Sequence, residues 1–118
     1  MTSSYFAQIG NDINGEAAND SSGWSVSLSS DGNVVAIGAT NNNANGNNSG
    51  SVGIYKNVNN TWIQVGSDID GGAAADELGY SVSLSSDGNV VAVGAHQNDT
   101  GNGYVKIYQN VNNNWVQV

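Results

Sequence analysis

Twelve residues of this chain are written twice. Ser25-Val26-Ser27-Leu28-Ser29-Ser30-Asp31-Gly32-Asn33-Val34-Val35-Ala36 returns unchanged as Ser81 to Ala92, displaced by 56 positions. Val26 and Leu28 alternate with serines, the pattern of a strand with one wet and one dry face. Ser30-Asp31-Gly32-Asn33 carries the chemistry of a tight turn. The run that follows, Val34-Val35-Ala36-Ile37 in the first copy and Val90-Val91-Ala92-Val93 in the second, is apolar on both faces, so it belongs inside a sheet with material above and below. Each copy therefore reads as strand, turn, strand.

The repeat extends well beyond the twelve. Residues 8–40 align with 64–96 without a gap, identical at 23 of 33 positions, and 50–65 aligns with 103–118 after a loop three residues shorter. The unit is 53 to 56 residues long, and two copies fill almost the whole chain. Strands are expected at 24–29, 33–39, 51–56 and 61–65 in the first unit, and at 80–85, 89–95, 104–109 and 114–118 in the second. No stretch keeps a 3.6-residue apolar period, so essentially no helix is expected. Phe6-Ala7-Gln8-Ile9-Gly10 aligns with Trp62-Ile63-Gln64-Val65-Gly66 and reads as a spare fourth strand.

Four-stranded antiparallel units at this spacing mark propeller blades. The expected fold is all-β: two four-stranded antiparallel β-propeller blades plus a spare N-terminal outer strand. The divisions are 1–10 for a latch strand, 11–66 for the first blade and 67–118 for the second. The residues also resemble a family. Leu78-Gly79-Tyr80-Ser81-Val82 followed by Val93-Gly94-Ala95, matched by Gly23-Trp24-Ser25-Val26 and Ile37-Gly38-Ala39, is similar to the FG-GAP repeat of integrin-type β-propellers, in its bacterial and algal variety. The likeness covers residues 5–118. It departs where Ser22 or Leu78 stands in place of the first Phe, and where Thr40 or His96 replaces the Pro. It implies an extracellular or cell-surface setting.

Charge removes several function classes. The formal net charge is −8, Lys56 and Lys106 are the only cations, and there is no Arg. Phosphate binding rests on Lys and Arg, so nucleic acid is excluded as a partner and anionic membranes are disfavoured. Without cysteine there is neither a disulfide framework nor a thiolate metal site. No apolar run is long enough for a membrane helix. Met1-Thr2-Ser3-Ser4 and the near-identity of the units suggest an excised or designed piece.

Seven of the ten carboxylates fall in the connections from fourth to first strand: Asp12, Glu16, Asp20, Asp68, Asp70, Asp76 and Glu77. With the Asn-rich loop 41–48 they are expected on one rim. Asp20, Asn45, Asp76, Glu77, His96 and Asp99 form the candidate ligand face there, of a kind a glycan-binding module would use. Asp68-x-Asp70-Gly71 and Asp12-Ile13-Asn14-Gly15 partly match an oxygen-ligand calcium loop. The family likeness points the other way, because integrin calcium loops join the two strands that here meet at Ser30-Asp31-Gly32-Asn33. No high-affinity metal site and no cofactor are expected, with Asp68, Asp70, Asp12 and Asn14 as weak candidates and turn capping as their reading. No catalytic residue stands out: His96 is the lone histidine, and Thr40 occupies its place in the other unit.

The functional expectation is a non-enzymatic scaffold or adhesion-type module that joins copies of itself head to tail, with a glycan-binding lectin as the alternative. A propeller closes with about 4–8 blades, so a chain of two should form a trimer or tetramer. Tyr5, Phe6 and Ile9 are expected to pair with Tyr104, Ile107 and Tyr108 of a neighbour, in exchange for the strand containing Trp115 and Val118. The expected core is Val26, Leu28, Val35, Ile37, Val52 and Ile54, with Val82, Leu84, Val91, Val93, Val105 and Ile107.

Overall fold

The computed structural model describes residues 5–97 and 101–118, and those residues contain strands and turns but no helix. Strands β1 (Ser22–Leu28), β2 (Val34–Ala39), β3 (Ser51–Val58) and β4 (Thr61–Gln64) form one antiparallel meander. Strands β6 (Leu78–Leu84), β7 (Val90–Ala95), β8 (Tyr104–Val111) and β9 (Asn114–Gln117) form a second of the same order. These are two propeller blades. Between them β5 (Ile69–Asp70) adds to the edge of β3, with Val52 opposite Ile69.

Local chemistry sets the hairpins. At the β1–β2 turn Ser29 Oγ donates to Asp31 Oδ1 (2.8 Å), the Asn33 amide donates to the same oxygen (3.0 Å), and Val34 N–H donates back to Ser29 Oγ (3.0 Å). Ser85, Asp87, Asn89 and Val90 repeat those bonds in the second blade. The β3–β4 turn places Asn59 and Asn60 at φ of 53° and 66°, and β8–β9 places Asn112 and Asn113 at 52° and 65°. Two consecutive left-handed residues match the twist of the flanking strands, and Asn tolerates that region.

Two strand assignments differ from expectation. β1 and β6 begin two residues early, because a bulge at Gly23 (φ 92°) and Gly79 (φ 94°) lets pairing continue past an irregular step. Tyr5–Ile9 forms no ladder, so the ninth strand is β5 rather than a spare N-terminal one. The edge of β8 is taken by the chain's own β9.

Register divides each blade into two faces. In the first blade Val26, Leu28, Val35, Ile37, Tyr55 and Trp62 share one face, while Val34, Ala36, Val52 and Ile54 share the other. The core lies between blades. Ala36, Val52 and Ile54 pack against Val91, Val93 and Ala95, closed off by Ile69 and Leu78 and flanked by Val82, Leu84 and Tyr108. Four residues expected in the core are instead exposed: Val26 (64%), Leu28 (60%), Val105 (69%) and Ile107 (45%). Alternation tells which side chains share a face, but not whether another sheet covers that face. Val26 and Leu28 lie on the outer face of the first blade, and Val105 and Ile107 on the outer face of the second.

Candidate interaction site

The junction between the blades is made by a small set of bonds and close backbone approaches. Ser25 Oγ donates to the Gly79 carbonyl (2.6 Å), Leu84 N–H donates to Ser27 Oγ (3.0 Å), and Ser30 donates both its amide and its hydroxyl to the Ser86 carbonyl (3.0 and 3.1 Å). Backbones meet where these bonds run. A Cβ on Gly38 would stand 2.1 Å from the Gly79 carbonyl oxygen, and one on Gly88 would stand 2.8 Å from Val34. Glycine is needed at both positions because a methyl there would strike the facing blade, its backbone at Gly79 or its side chain at Val34.

These groups have counterparts in the repeat, and several of the counterparts are open. On the first blade Gly23 and Gly32 have nothing within 4 Å of a would-be Cβ, although their equivalents Gly79 and Gly88 are packed. On the second blade the equivalents of Ser25 and Ser27, which are Ser81 and Ser83, are exposed. For Gly94, the counterpart of Gly38, the three atoms nearest a would-be Cβ all belong to its own blade's Ser81, whereas for Gly38 they include the Gly79 carbonyl of the other blade. The apolar residues agree: Val52 and Ile54 are fully buried, while Val105 and Ile107 in the same repeat positions are 69% and 45% exposed. The chain thus carries one junction, and repeat counterparts of its residues lie largely uncovered on the outer faces of both blades. Sequence reasoning missed the glycines and inner-strand serines as contact residues. The signal was the identity of 25–36 with 81–92, which preserves the serines of the strand as faithfully as its apolar residues.

The residues expected to mediate assembly separate into two groups. Tyr5 (82%), Phe6 (104%), Ile9 (54%), Ile107 (45%) and Val118 (79%) are exposed. Tyr104, Tyr108 and Trp115 are half-buried against the internal core. Their face of the second blade is the one already covered by the first blade.

The candidate ligand face is knitted into the fold. Asp20 is buried and accepts from Asn42 Nδ2 (2.9 Å). Asn45 Nδ2 donates to the carbonyls of Gly71 (2.8 Å) and Gly72 (3.2 Å). Asp76, also buried, accepts through Oδ2 from the amides of Gly72 and Ala73 (3.1 Å each) and from the Tyr104 hydroxyl (2.7 Å). Glu77, half-buried, gives its amide to the Asn48 carbonyl (3.0 Å). The Asn-rich loop and the acidic connection therefore hold each other. His96 stacks on Tyr80 with ring centroids 4.3 Å apart, and Tyr80 in turn lies 5.5 Å from Trp24. Asp99 lies outside the described residues.

The metal candidates are dispersed among local bonds. Asp12 accepts from Gln8 Nε2 (2.8 Å), Asp68 accepts from Gln64 Nε2, and Asp70 sits on β5 opposite Ser51. Among the described residues no three His, Asp or Glu side chains converge as a metal site. Glu16 faces Asp68 beside a polar cavity of about 30 Å³, room for one water, with Asp20, Asn42, Ser51 and Tyr55 among its lining. A hydrogen bond to Asp68 and that carboxylate's charge, helped by burial and by Asp20 and Asp70, push the Glu16 carboxyl up to about 7. The Tyr55 hydroxyl is raised by burial and then by Asp68 and Glu16.

Glycine-on-glycine contacts, serine locks and a four-stranded meander repeated along the chain define a tandem β-propeller repeat protein. The FG-GAP repeat matches residues 14–55 and 69–108, so most of the chain is covered and the protein belongs to the FG-GAP repeat family. Among curated proteins none matches the sequence.

Proposed function

We propose that this chain is a non-enzymatic propeller module that associates head to tail with copies of itself, as a scaffold or adhesion-type piece. The reading is carried by the contrast between Val52 and Ile54, fully buried, and Val105 and Ile107, 69% and 45% exposed in identical repeat positions. A second copy presenting Val26, Leu28, Gly23 and Gly32 offers to Val105, Ile107, Gly94 and Val90 what the second blade already offers to the first. Burying a Val, Leu or Ile side chain contributes about 1.5–3 kcal/mol, while association costs at least about 4 kcal/mol in lost freedom. Four such side chains, now 45–69% exposed, and the serine bonds are the gain set against that cost.

The contact is heterologous, since two different faces meet, and such contacts close into rings or run on as filaments. With closure at about 4–8 blades, rings of two to four copies fit, and trimers and tetramers, with six and eight blades, are the ones we favour. Sedimentation across micromolar concentrations is the test. Assembly should appear in the parent chain and be lost in Val105→Asp, whose site is already exposed and whose fold should survive. A parent chain that stays monomeric throughout would refute the reading.

A further inference from the structure

The outer end of the open face is occupied in this structure by the chain's own N-terminal segment. Trp115, in β9, donates its indole N–H to the Val65 carbonyl (2.9 Å), just where the chain leaves β4. Trp62, in β4, makes the same bond to the Ile9 carbonyl (2.9 Å). The neighbouring residues repeat the arrangement. Gly66 and Gly10 have φ of 70° and 71°, and both glycines sit against the following blade's outer hairpin: a Cβ on Gly10 would meet the Asn60 carbonyl and Trp62, and one on Gly66 the Asn113 carbonyl and Trp115. Gln8 bonds Asp12 as Gln64 bonds Asp68. Ile9 and Gly10 thus stand where a preceding blade's fourth strand would leave its sheet, although no such blade is present and Tyr5–Ile9 pairs with no strand.

At the other end, β9 leaves β8 in the geometry of β4. Val118 N–H donates to the Ile107 carbonyl (2.8 Å) as Val65 N–H donates to that of Ile54 (2.8 Å). Val118 is therefore the repeat counterpart of both Val65 and Ile9, and it is 79% exposed. In a head-to-tail pair two segments correspond to one place on Trp62: Ile9 of the same chain and Val118 of the neighbour.

Resting on the head-to-tail reading, we propose that Trp62 is the docking point for the neighbour's β9. On association the Val118 carbonyl of the second copy replaces that of Ile9 as acceptor of the indole N–H, and residues 5–9 leave the interface. The reverse exchange, in which Tyr5–Ile9 displaces the neighbour's β9, loses at each step. Phe6 would stand in the place of Trp115 and has no N–H for the Val65 carbonyl. Ala7 would replace Val116. β9 is tethered to β8 by the two-residue turn at Asn112 and Asn113, whereas an incoming strand has no such tether.

Two variants of the full chain test this by sedimentation, with thermal melting to confirm folding. Removing residues 1–9 should tighten association about three- to tenfold, since the competing contact is worth about one hydrogen bond. Val118→Asp, on an exposed strand end, should weaken association in a chain that melts as before. Association weakened or unchanged by the deletion, or untouched by Val118→Asp, would overturn the docking of β9 while leaving the head-to-tail reading standing. A monomer in every form would overturn both.

Discussion

Gly38 and Gly79 show how much a single missing methyl decides. Their backbones touch across the junction, so Gly38→Ala would drive a methyl to within 2.1 Å of the Gly79 carbonyl. Neither partner is a flexible side-chain tip, and overpacking of this kind costs about 1–3 kcal/mol. We expect a folded variant whose melting temperature falls by about 4 °C or more, measured by calorimetry. Glu16 makes its own residue-scale prediction. Its carboxyl is raised in the folded chain from the ordinary 4.5 to about 7, so the folded state holds a proton that the unfolded state releases. The stability this contributes is complete below about pH 4.5 and is lost as pH rises to 7. Glu16 is exposed, and solvent screening leaves roughly 1 kcal/mol or less. Asp31 and Asp87 act in the opposite sense. Hydrogen bonds from the Asn33 and Asn89 amides, then from Ser29 and Ser85, hold them below the ordinary 3.8, and their support is lost as pH falls. Stability should peak in mildly acidic solution. Melting Glu16→Gln between pH 4 and 9 should show the decline above pH 5 removed, because a neutral amide can keep the bond to Asp68 without a proton to lose.

At the scale of elements, the amides and carboxylates of the connections bond one another. The Gly72 and Ala73 amides and the Tyr104 hydroxyl satisfy one oxygen of Asp76, and the side chain of Asn45 satisfies two carbonyls of the facing loop. A ligand that binds only the folded state raises stability in proportion to the logarithm of its concentration. Melting in millimolar calcium and in EDTA should therefore differ by no more than about 1–2 °C, and a larger calcium-dependent rise would overturn the turn-capping reading of Asp68 and Asp70. The hairpins were legible at this scale, since Ser-Ser-Asp-Gly-Asn and Asn-Val-Asn-Asn name their turns. β5 was not, because Ile69 and Asp70 have no alternating pattern of their own. Their pairing follows from where the connection crosses the edge of β3.

At the scale of the whole molecule, identical substitutions should diverge according to which end of the repeat they strike. Val91 is fully buried in the junction, whereas Val105 is 69% exposed. Val91→Asp places an unpaired charge where nothing can neutralise it and should abolish folding. Val105→Asp should leave the circular dichroism spectrum and melting temperature of the isolated chain almost unchanged. If both fold equally well, the junction is not the core. On the head-to-tail reading the second variant has a further signature: loss of assembly without loss of fold.

The repeat by itself determined the number of blades, the order of strands in each and which side chains share a face, because a period of two and a duplicated turn leave little choice. It could not assign burial. Val52 and Val105, or Leu84 and Leu28, are equivalent as sequence, and only the stacking of one blade on the other makes one of each pair core and its counterpart surface. Nor could it say which segment holds Trp62. Ile9 and Val118 carry the same repeat signature, and that choice rests on a main-chain carbonyl brought to an indole N–H from 53 residues away. Contacts between blades join positions far apart in the chain, so local pattern records that a partner is needed without recording which one arrives.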